Sequence, residues 1–310
     1  MKSIQLGVSP IHTSCLAYGC WRIAESGDDD ADFKTARAAI HAAIEAGFIL
    51  FDLADIYCRG RSETMFGRVM AASPDLRQGL IVATKCGIRF VGDPDPRATY
   101  RYDFSADHIL RSCEESLRRL QVETIDLYQL HRPDWLMNPD EVAAAFDKLF
   151  EEGKVRTFGV SNFRPSQVEL LQQACGQALV ANQIEASLLQ LRVFEDGTLD
   201  QCLANQITPM AWSPLAGGML GEGATKVLPS QSVYSPEKAL AEIDQVSLER
   251  GATRMATALA WLMRHPAGIV PIVGSTQPER IRAAAEAANL ELTREEWYRL
   301  LSAARSEPLP

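Results

Sequence analysis

Eight short apolar runs, each followed by a helical pattern, recur along the chain and constrain its fold more tightly than any other feature. They are SCLAYG (14–19), FILFDL (48–53), LIVATK (80–85), IDLYQL (125–130), TFGVSN (157–162), LVANQI (179–184), ITPMAW (207–212) and GIVPIVG (268–274). Most are near-continuously apolar, as strands covered on both faces must be, so the pattern predicts an α/β chain built on a parallel sheet. Between the runs, Leu110, Cys113, Leu117 and Leu120 recur at helical spacing beside Arg111, Glu114, Glu115 and Arg118, and the stripe is expected to face the sheet. Helix starts are signalled by Ser105 before Ala106 and by Asn138–Pro139, Arg164–Pro165 and Ser235–Pro236, where the first turn tolerates proline. The leading IQLGVSPIHTS reads as a small hairpin capping the bottom of a barrel.

A chain of 310 residues, 46% of them hydrophobic, can bury one large core or two small ones, and no Pro/Gly/Ser-rich linker divides this one. A single domain over residues 1–310 is expected. The 31 basic and 40 acidic residues leave a formal charge of -9, which argues against nucleic acid or an anionic membrane as the general partner. MKSIQLGVSP lacks the apolar core of a signal peptide, and no run of about eighteen apolar residues occurs to span a bilayer. The expectation is a soluble, cytoplasmic protein. Seven cysteines form no CxxC pair and no zinc spacing, and their odd number fits reduced thiols, Cys86 included.

In a parallel barrel the strand C-termini share one rim, so residues far apart in sequence meet there. Asp52 and Tyr57 in ILFDLADIY, Lys85 in LIVATK and His131 in IDLYQLH would then share one pocket. Singly, Asp52 and Lys85 suit a rim salt bridge, Tyr57 a core cap and His131 a partner for a buried carbonyl. Together at three strand ends they favour catalysis. Two loops are longer than usual connections. One, from about Gly87 to Phe104, carries Arg89, Arg97, Tyr100, Arg101 and Tyr102, which suit either a cover for a polar-aromatic substrate or ordinary exposed loop charge. The other, Pro214 to about Ser235, holds glycines that permit close backbone approach to a ligand, as a phosphate clamp or a lid would need.

Over nearly its whole length the chain resembles the aldo-keto reductases. Asp52-Leu-Ala-Asp-Ile-Tyr57, with Ser62-Glu63 and Gly67, is similar to that family's D-x-A-x-x-Y-x-x-S-E-x-x-x-G pattern. Lys85 and His131 match its catalytic lysine and histidine. The resemblance implies a (β/α)8 TIM barrel with an N-terminal β-hairpin cap that uses NADPH, with NADH possible. It implies nicotinamide-carboxamide contacts at Ser161, Asn162 and Asn182-Gln183, and a stacking ring at Trp212. The pyrophosphate clamp would run through Ser213, Pro214, Leu215 and Gly217, and the adenosine 2′-phosphate site through Gly274, Ser275, Thr276 and Arg280. Trp21 is assigned to the cofactor side as well. The chain departs from common members at Trp212 (often Tyr), Gly274 (often Lys), Ala283-Ala284 (often Glu-Asn) and Cys58 (often Gly).

The chemistry is consistent with these types. A phenol with an ordinary pKa near roughly 10 holds its proton tightly, and an adjacent ammonium favours the phenolate. Tyr57 would donate the proton, Lys85 would supply the cation, Asp52 would keep Lys85 charged, and His131 would orient the carbonyl oxygen. The expected partner is a small carbonyl compound, taken by a monomer with an open pocket, since the tail Ser306–Pro310 is short. Its lining is expected to draw on Trp21, Tyr57, Trp135 or the Tyr100–Tyr102 region. No metal is required. The alternative is a cofactor-binding redox sensor or regulatory subunit with slow turnover. Tyr234-to-Lys238 fits the Y-x-x-x-K pattern of short-chain dehydrogenases, but no glycine-rich turn follows the first strand run.

Overall fold

In the computed structural model, which describes residues 1–221, 231 and 236–305, the eight predicted runs are the eight strands of a closed parallel barrel. The chain opens with β1 (Ser3–Gln5), β2 (His12–Ser14), β3 (Ala17–Gly19), α1 (Asp29–Glu45), β4 (Leu50–Asp52), α2 (Arg61–Ala72), α3 (Pro74–Arg77) and β5 (Ile81–Cys86). It continues through β6 (Ile88–Arg89), β7 (Arg101–Tyr102), α4 (Ala106–Leu120), β8 (Ile125–Leu130), α5 (Pro139–Glu151), β9 (Val155–Ser161), α6 (Pro165–Ala174) and β10 (Leu179–Glu185). The last part holds α7 (Arg192–Glu195), α8 (Thr198–Ala204), β11 (Thr208–Trp212), α9 (Glu237–Arg250), α10 (Arg254–Met263), β12 (Val270–Val273), α11 (Pro278–Ala285) and α12 (Arg294–Arg305). Around the barrel the order is β3, β4, β5, β8, β9, β10, β11, β12, and β12 pairs back onto β3.

Strand side chains alternate between two environments because the pleat has a period of two. Phe51, Val82, Tyr128, Phe158 and Val160 point outward into the layer between sheet and helices. Leu50, Ala83, Leu127, Ala181 and Met210 point inward, where they meet Leu6 of the leading segment. That segment is the expected hairpin: β1 and β2 pair antiparallel across the N-terminal end of the barrel. Gly7 seats it. Its φ of +56° is costly for any side chain, and a Cβ there would stand 2.5 Å from the Val180 carbonyl oxygen. Gly67 of α2 has a similar reason to be small, since a Cβ would collide with the Arg119 carbonyl where α2 crosses α4.

The stripe read on α4 is displaced. Its buried residues are His108, Ile109, Ser112, Cys113, Ser116 and Leu120, while Leu110 and Leu117 are only half-buried at the edge. The inward face thus mixes Ile109, Cys113 and Leu120 with the small Ser112 and Ser116, and α2 approaches closely at Arg119 and Leu120. Ser105 precedes the helix but bonds Asp103, and the Ala106 amide is taken by Glu141 Oε1. Proline stands in the first turn of α5 and α6, as expected. Pro236 immediately precedes α9, whereas Ser235 and Tyr234 lie outside the described residues. So do 222–230 and 232–235 of the glycine-rich segment and the tail Ser306–Pro310. On the barrel's outer side Trp261 and Trp297 stack at 5.1 Å, each indole N–H donating to the other's carbonyl, and this pins α12 to α10. Among the described residues no helix is long and apolar enough to cross a membrane.

Candidate active site

Two residues further along each strand, the inward positions change character. Leu50 is followed by Asp52, Ala83 by Lys85, Leu127 by Gln129 and His131, Gly159 by Ser161, Ala181 by Gln183, and Met210 by Trp212. The register places Lys85 opposite Gln129 and Ser161 opposite Gln183, while Asp52, opposite Ala83, is joined to Lys85 and Gln183 by hydrogen bonds near the C-terminal rim. The Lys85 ammonium, 0% exposed, donates to Asp52 Oδ1 at 2.8 Å, to Oδ2 at 2.9 Å and to the Leu53 carbonyl. Gln183 Nε2 donates to the same Asp52 Oδ1 at 2.7 Å, which ties β10 into the ion pair across the barrel. Burial alone would depress the Lys85 pKa, but Asp52 and then Tyr57 outweigh it and raise it, so the lysine is a cation at neutral pH.

Tyr57 leaves β4 on a short 3-10 turn, Tyr57–Gly60, in which Cys58 (φ 48°) and Arg59 (φ 55°) both take the left-handed conformation. Its ring centroid lies 4.8 Å from Lys85 Nζ, 5.7 Å from the His131 ring and 6.1 Å from Trp21. Lys85 acts on the phenol in the expected direction. Burial is the larger effect, however, and the pKa is raised, so Tyr57 carries its proton. Burial also pushes the His131 imidazole well below its usual range, with Lys85 and Arg132 adding to the effect, so the ring is neutral. His131 Nδ1 has no hydrogen-bond partner among the described residues.

Above these groups lies a pocket of about 550 Å³. Gly19, Trp21, Asp52, Tyr57, His131, Ser161, Asn162, Gln183 and Trp212 are among the residues that line it. It extends along Ser213, Pro214, Leu215 and Gly217 to Gly274, Ser275 and Arg280. Ser161 Oγ accepts from Asn162 Nδ2 at 2.7 Å, and Asn162 Oδ1 accepts from Trp212 Nε1 at 2.9 Å, which fixes the indole at the strand end. Ser213, Ala216, Gly217 and Gly218 all have positive φ, a backbone turned sharply around the pocket wall. A Cβ at Gly274 would meet open space, and Arg280 has no ion pair among the described residues. An indole, adjacent amides, a turned backbone and an unpaired guanidinium, in that order along one groove, fit a nicotinamide dinucleotide.

Several expected positions fall elsewhere. Lys85 lies beneath the pocket rather than in its wall, and Thr276 does not line it. Asn182 is buried, its Nδ2 donating to the Phe163 carbonyl, because its place on β10 turns it to the opposite face from Gln183. Trp135 is 91% exposed and Tyr102 is absent from the lining. In the first long loop, Arg89 is buried between Asp93 and Asp103, Arg97 pairs with Asp95, and Arg101 bonds the Asp93 carbonyl. Its charge therefore fastens the loop to itself, while Ile88, Phe90 and Tyr100 face the pocket. Ala284 is buried in the helix layer. All seven cysteines are unpaired thiols and Cys86 is fully buried.

Sequence reading missed Arg22 and Arg132, both in the pocket wall. Each directly follows a residue it did select, Trp21 and His131, so adjacency at a strand end was the available signal. Met255, reaching the pocket from α10, carried none.

Residues 15–305 match the family model described as the aldo/keto reductase family. The chain is 44% identical over 313 residues to the 6-dehydroglucose reductase of Novosphingobium aromaticivorans, covering 99% of this chain and 96% of that protein. It is 40% identical over 297 residues to the 6-dehydroglucose reductase of Agrobacterium fabrum, covering 95% of each. Among solved structures, the glycerol dehydrogenase AKR11B4 from Gluconobacter oxydans superposes with a TM-score of 0.85 at 29% identity, covering 99% of this chain and 97% of that one.

Proposed function

Since the chain belongs to the aldo/keto reductase family and is an NAD(P)H-dependent oxidoreductase, we propose that it reduces aldehydes or ketones to alcohols with NADPH, Tyr57 giving the proton. The observation that carries this reading is the convergence of a protonated phenol, a fully buried ammonium and a neutral imidazole around one pocket floor. When bound, the cofactor supplies the hydride to the carbonyl carbon. His131, neutral, hydrogen-bonds the carbonyl oxygen and sets its place. As charge develops on that oxygen, the Tyr57 O–H bond breaks and its proton completes the alcohol. The phenolate left behind is stabilised by the Lys85 ammonium at close range in a site of low dielectric. Asp52 and Gln183 hold Lys85 in place, and solvent then reprotonates Tyr57.

Trp212 would stack on the nicotinamide, Ser161, Asn162 and Gln183 would meet its carboxamide, and Arg280 would take a 2′-phosphate with the planar donor fork suited to it. The two relatives named as 6-dehydroglucose reductases support a small oxygenated carbonyl compound as substrate. The test is NADPH oxidation, followed by absorbance, with a panel of aldehydes and ketones beside a cofactor-binding titration. Turnover with alcohol formation is expected. Tight cofactor binding with no turnover on any carbonyl would refute the reading and favour a redox-sensing role.

A further inference from the structure

The pocket holds a cation that the reduction chemistry above does not use. Arg132 follows His131 at the end of β8 and is half-buried in the pocket wall. Its guanidinium lies over the Trp212 indole, 5.2 Å from the ring centroid, which orients it without neutralising it. No carboxylate pairs with it among the described residues, unlike Arg61, Arg89, Arg119, Arg156, Arg250 and Arg254. Arg132 lines the same pocket as Tyr57, His131 and Tyr100, and its charge acts on all three. Trp21, Ile56, Ile88, Phe90 and Tyr100 give the same pocket an apolar and aromatic wall. Two other pocket arginines have no ion pair among the described residues: Arg280, further along the groove, and Arg22, which lies 5.7 Å over the exposed ring of Trp21.

An arginine held by an aromatic face in a half-dry pocket keeps its donors available, and a substrate that leaves them unbonded forfeits a charge-assisted hydrogen bond. We infer that Arg132 is a specificity-determining residue, donating from its guanidinium to an oxygen acceptor, hydroxyl or carboxylate, carried by the substrate next to its carbonyl. The inference rests on the reductase reading of the same site. Oxygenated carbonyl compounds are bound through Arg132 while the carbonyl oxygen meets Tyr57 and His131. A plain alkyl aldehyde satisfies only the latter two. The clamp and phosphate groups of the cofactor have their own residues further along the groove, so Arg132 serves the substrate side.

The test uses three matched carbonyls, propanal, glyceraldehyde and glyoxylate, with NADPH and the full-length protein. The wild type is expected to favour glyceraldehyde, glyoxylate or both over propanal by about 10-fold or more in kcat/KM, the size of one hydrogen bond to a charged group. Which of the two wins separates hydroxyl from carboxylate recognition. Arg132→Gln is expected to collapse that ratio mainly through KM. Arg132→Lys, which keeps the charge and loses the fork, should recover part of it for glyoxylate. NADPH affinity is expected to stay within about three-fold. Turnover of all three with no preference, or a preference that survives in Arg132→Gln, overturns the inference and leaves the reductase reading standing. A large change in NADPH affinity overturns it by placing Arg132 on the cofactor. Failure of every carbonyl to oxidise NADPH removes the reductase reading and the inference with it.

Discussion

Asp52→Asn is the sharpest probe of the buried pair, because changing one atom turns at least one of three accepting contacts into a donor facing a donor. The native carboxylate accepts from Lys85 at 2.8 and 2.9 Å and from Gln183 at 2.7 Å. An asparagine has one oxygen and one N–H₂ group, so whichever way it turns a donor faces a donor. Removing one partner of a buried, bonded ion pair costs about 3–5 kcal/mol. That is a large fraction of the roughly 5–15 kcal/mol that holds most proteins folded. At about 2–3 °C per kcal/mol for a chain of this size, the melting temperature should fall by roughly 6–15 °C. The pH dependence gives an independent check. In the native protein the Lys85 pKa is raised, so its contribution is fully present below the unfolded lysine value and is lost only as pH rises through the folded one. Without Asp52, burial is expected to outweigh what Tyr57 still contributes, and the folded pKa falls below the unfolded value. The variant is then penalised most at neutral pH and recovers toward alkaline pH. Urea unfolding of both proteins at pH 7 and pH 9.5, read by tryptophan fluorescence, measures this. A penalty under about 1 kcal/mol at pH 7, or a gap of constant size at both pH values, would refute the argument that Lys85 depends on Asp52 for its charge.

Tyr57→Phe keeps the ring and removes the proton; single-turnover hydride transfer should slow by about 100-fold or more with NADPH affinity retained, and an unchanged rate would exclude Tyr57 as donor. Arg280→Ala should weaken NADPH binding by about 10-fold or more while NADH is little affected, since only NADPH carries the 2′-phosphate; titration of both cofactors checks it, and equal losses would contradict that assignment. Burial alone would raise the Asp103 pKa, but Arg89, bonded at 2.8 Å, and then Ser105 hold it at about 2. Asp103 therefore adds stability above the ordinary carboxylate range near roughly pH 4, and loses it as pH falls toward its own pKa. Asp103→Asn should be less stable at pH 7 and should unfold with a flatter acid limb in urea midpoints taken from pH 7 down to pH 3.

The fold was legible because all eight barrel strands are short, apolar and bounded by helices, a pattern that only a doubly covered parallel sheet requires. The rim residues were legible because Asp52, Lys85 and His131 break apolar runs at their C-terminal ends. What escaped was whatever depends on approach between elements. Gly67 lets α2 come close to α4 at Arg119 and Leu120, and neither helix shows it alone. Asn182 and Gln183 are neighbours of similar chemistry, and the pleat alone decides that one bonds the Phe163 carbonyl and the other Asp52. The arginines of the Gly87–Phe104 loop look available in a string of letters, whereas Asp93, Asp95 and Asp103 claim them once the loop closes. Arg132 is the opposite case, an ordinary charge in sequence that no carboxylate pairs with among the described residues.

The change from leucine, alanine and methionine to acid, amine and amide takes place over one two-residue step inside the barrel. Below that step the residues keep the cylinder shut, and above it they face the pocket, whose outer aromatics Trp21, Phe90 and Tyr100 stand on loops. Heritable change can therefore act on the three levels separately. Exchanging the Gly87–Phe104 loop for one of different shape would alter the wall that Ile88, Phe90 and Tyr100 form, with the ion pair beneath and the hairpin at the far end left in place.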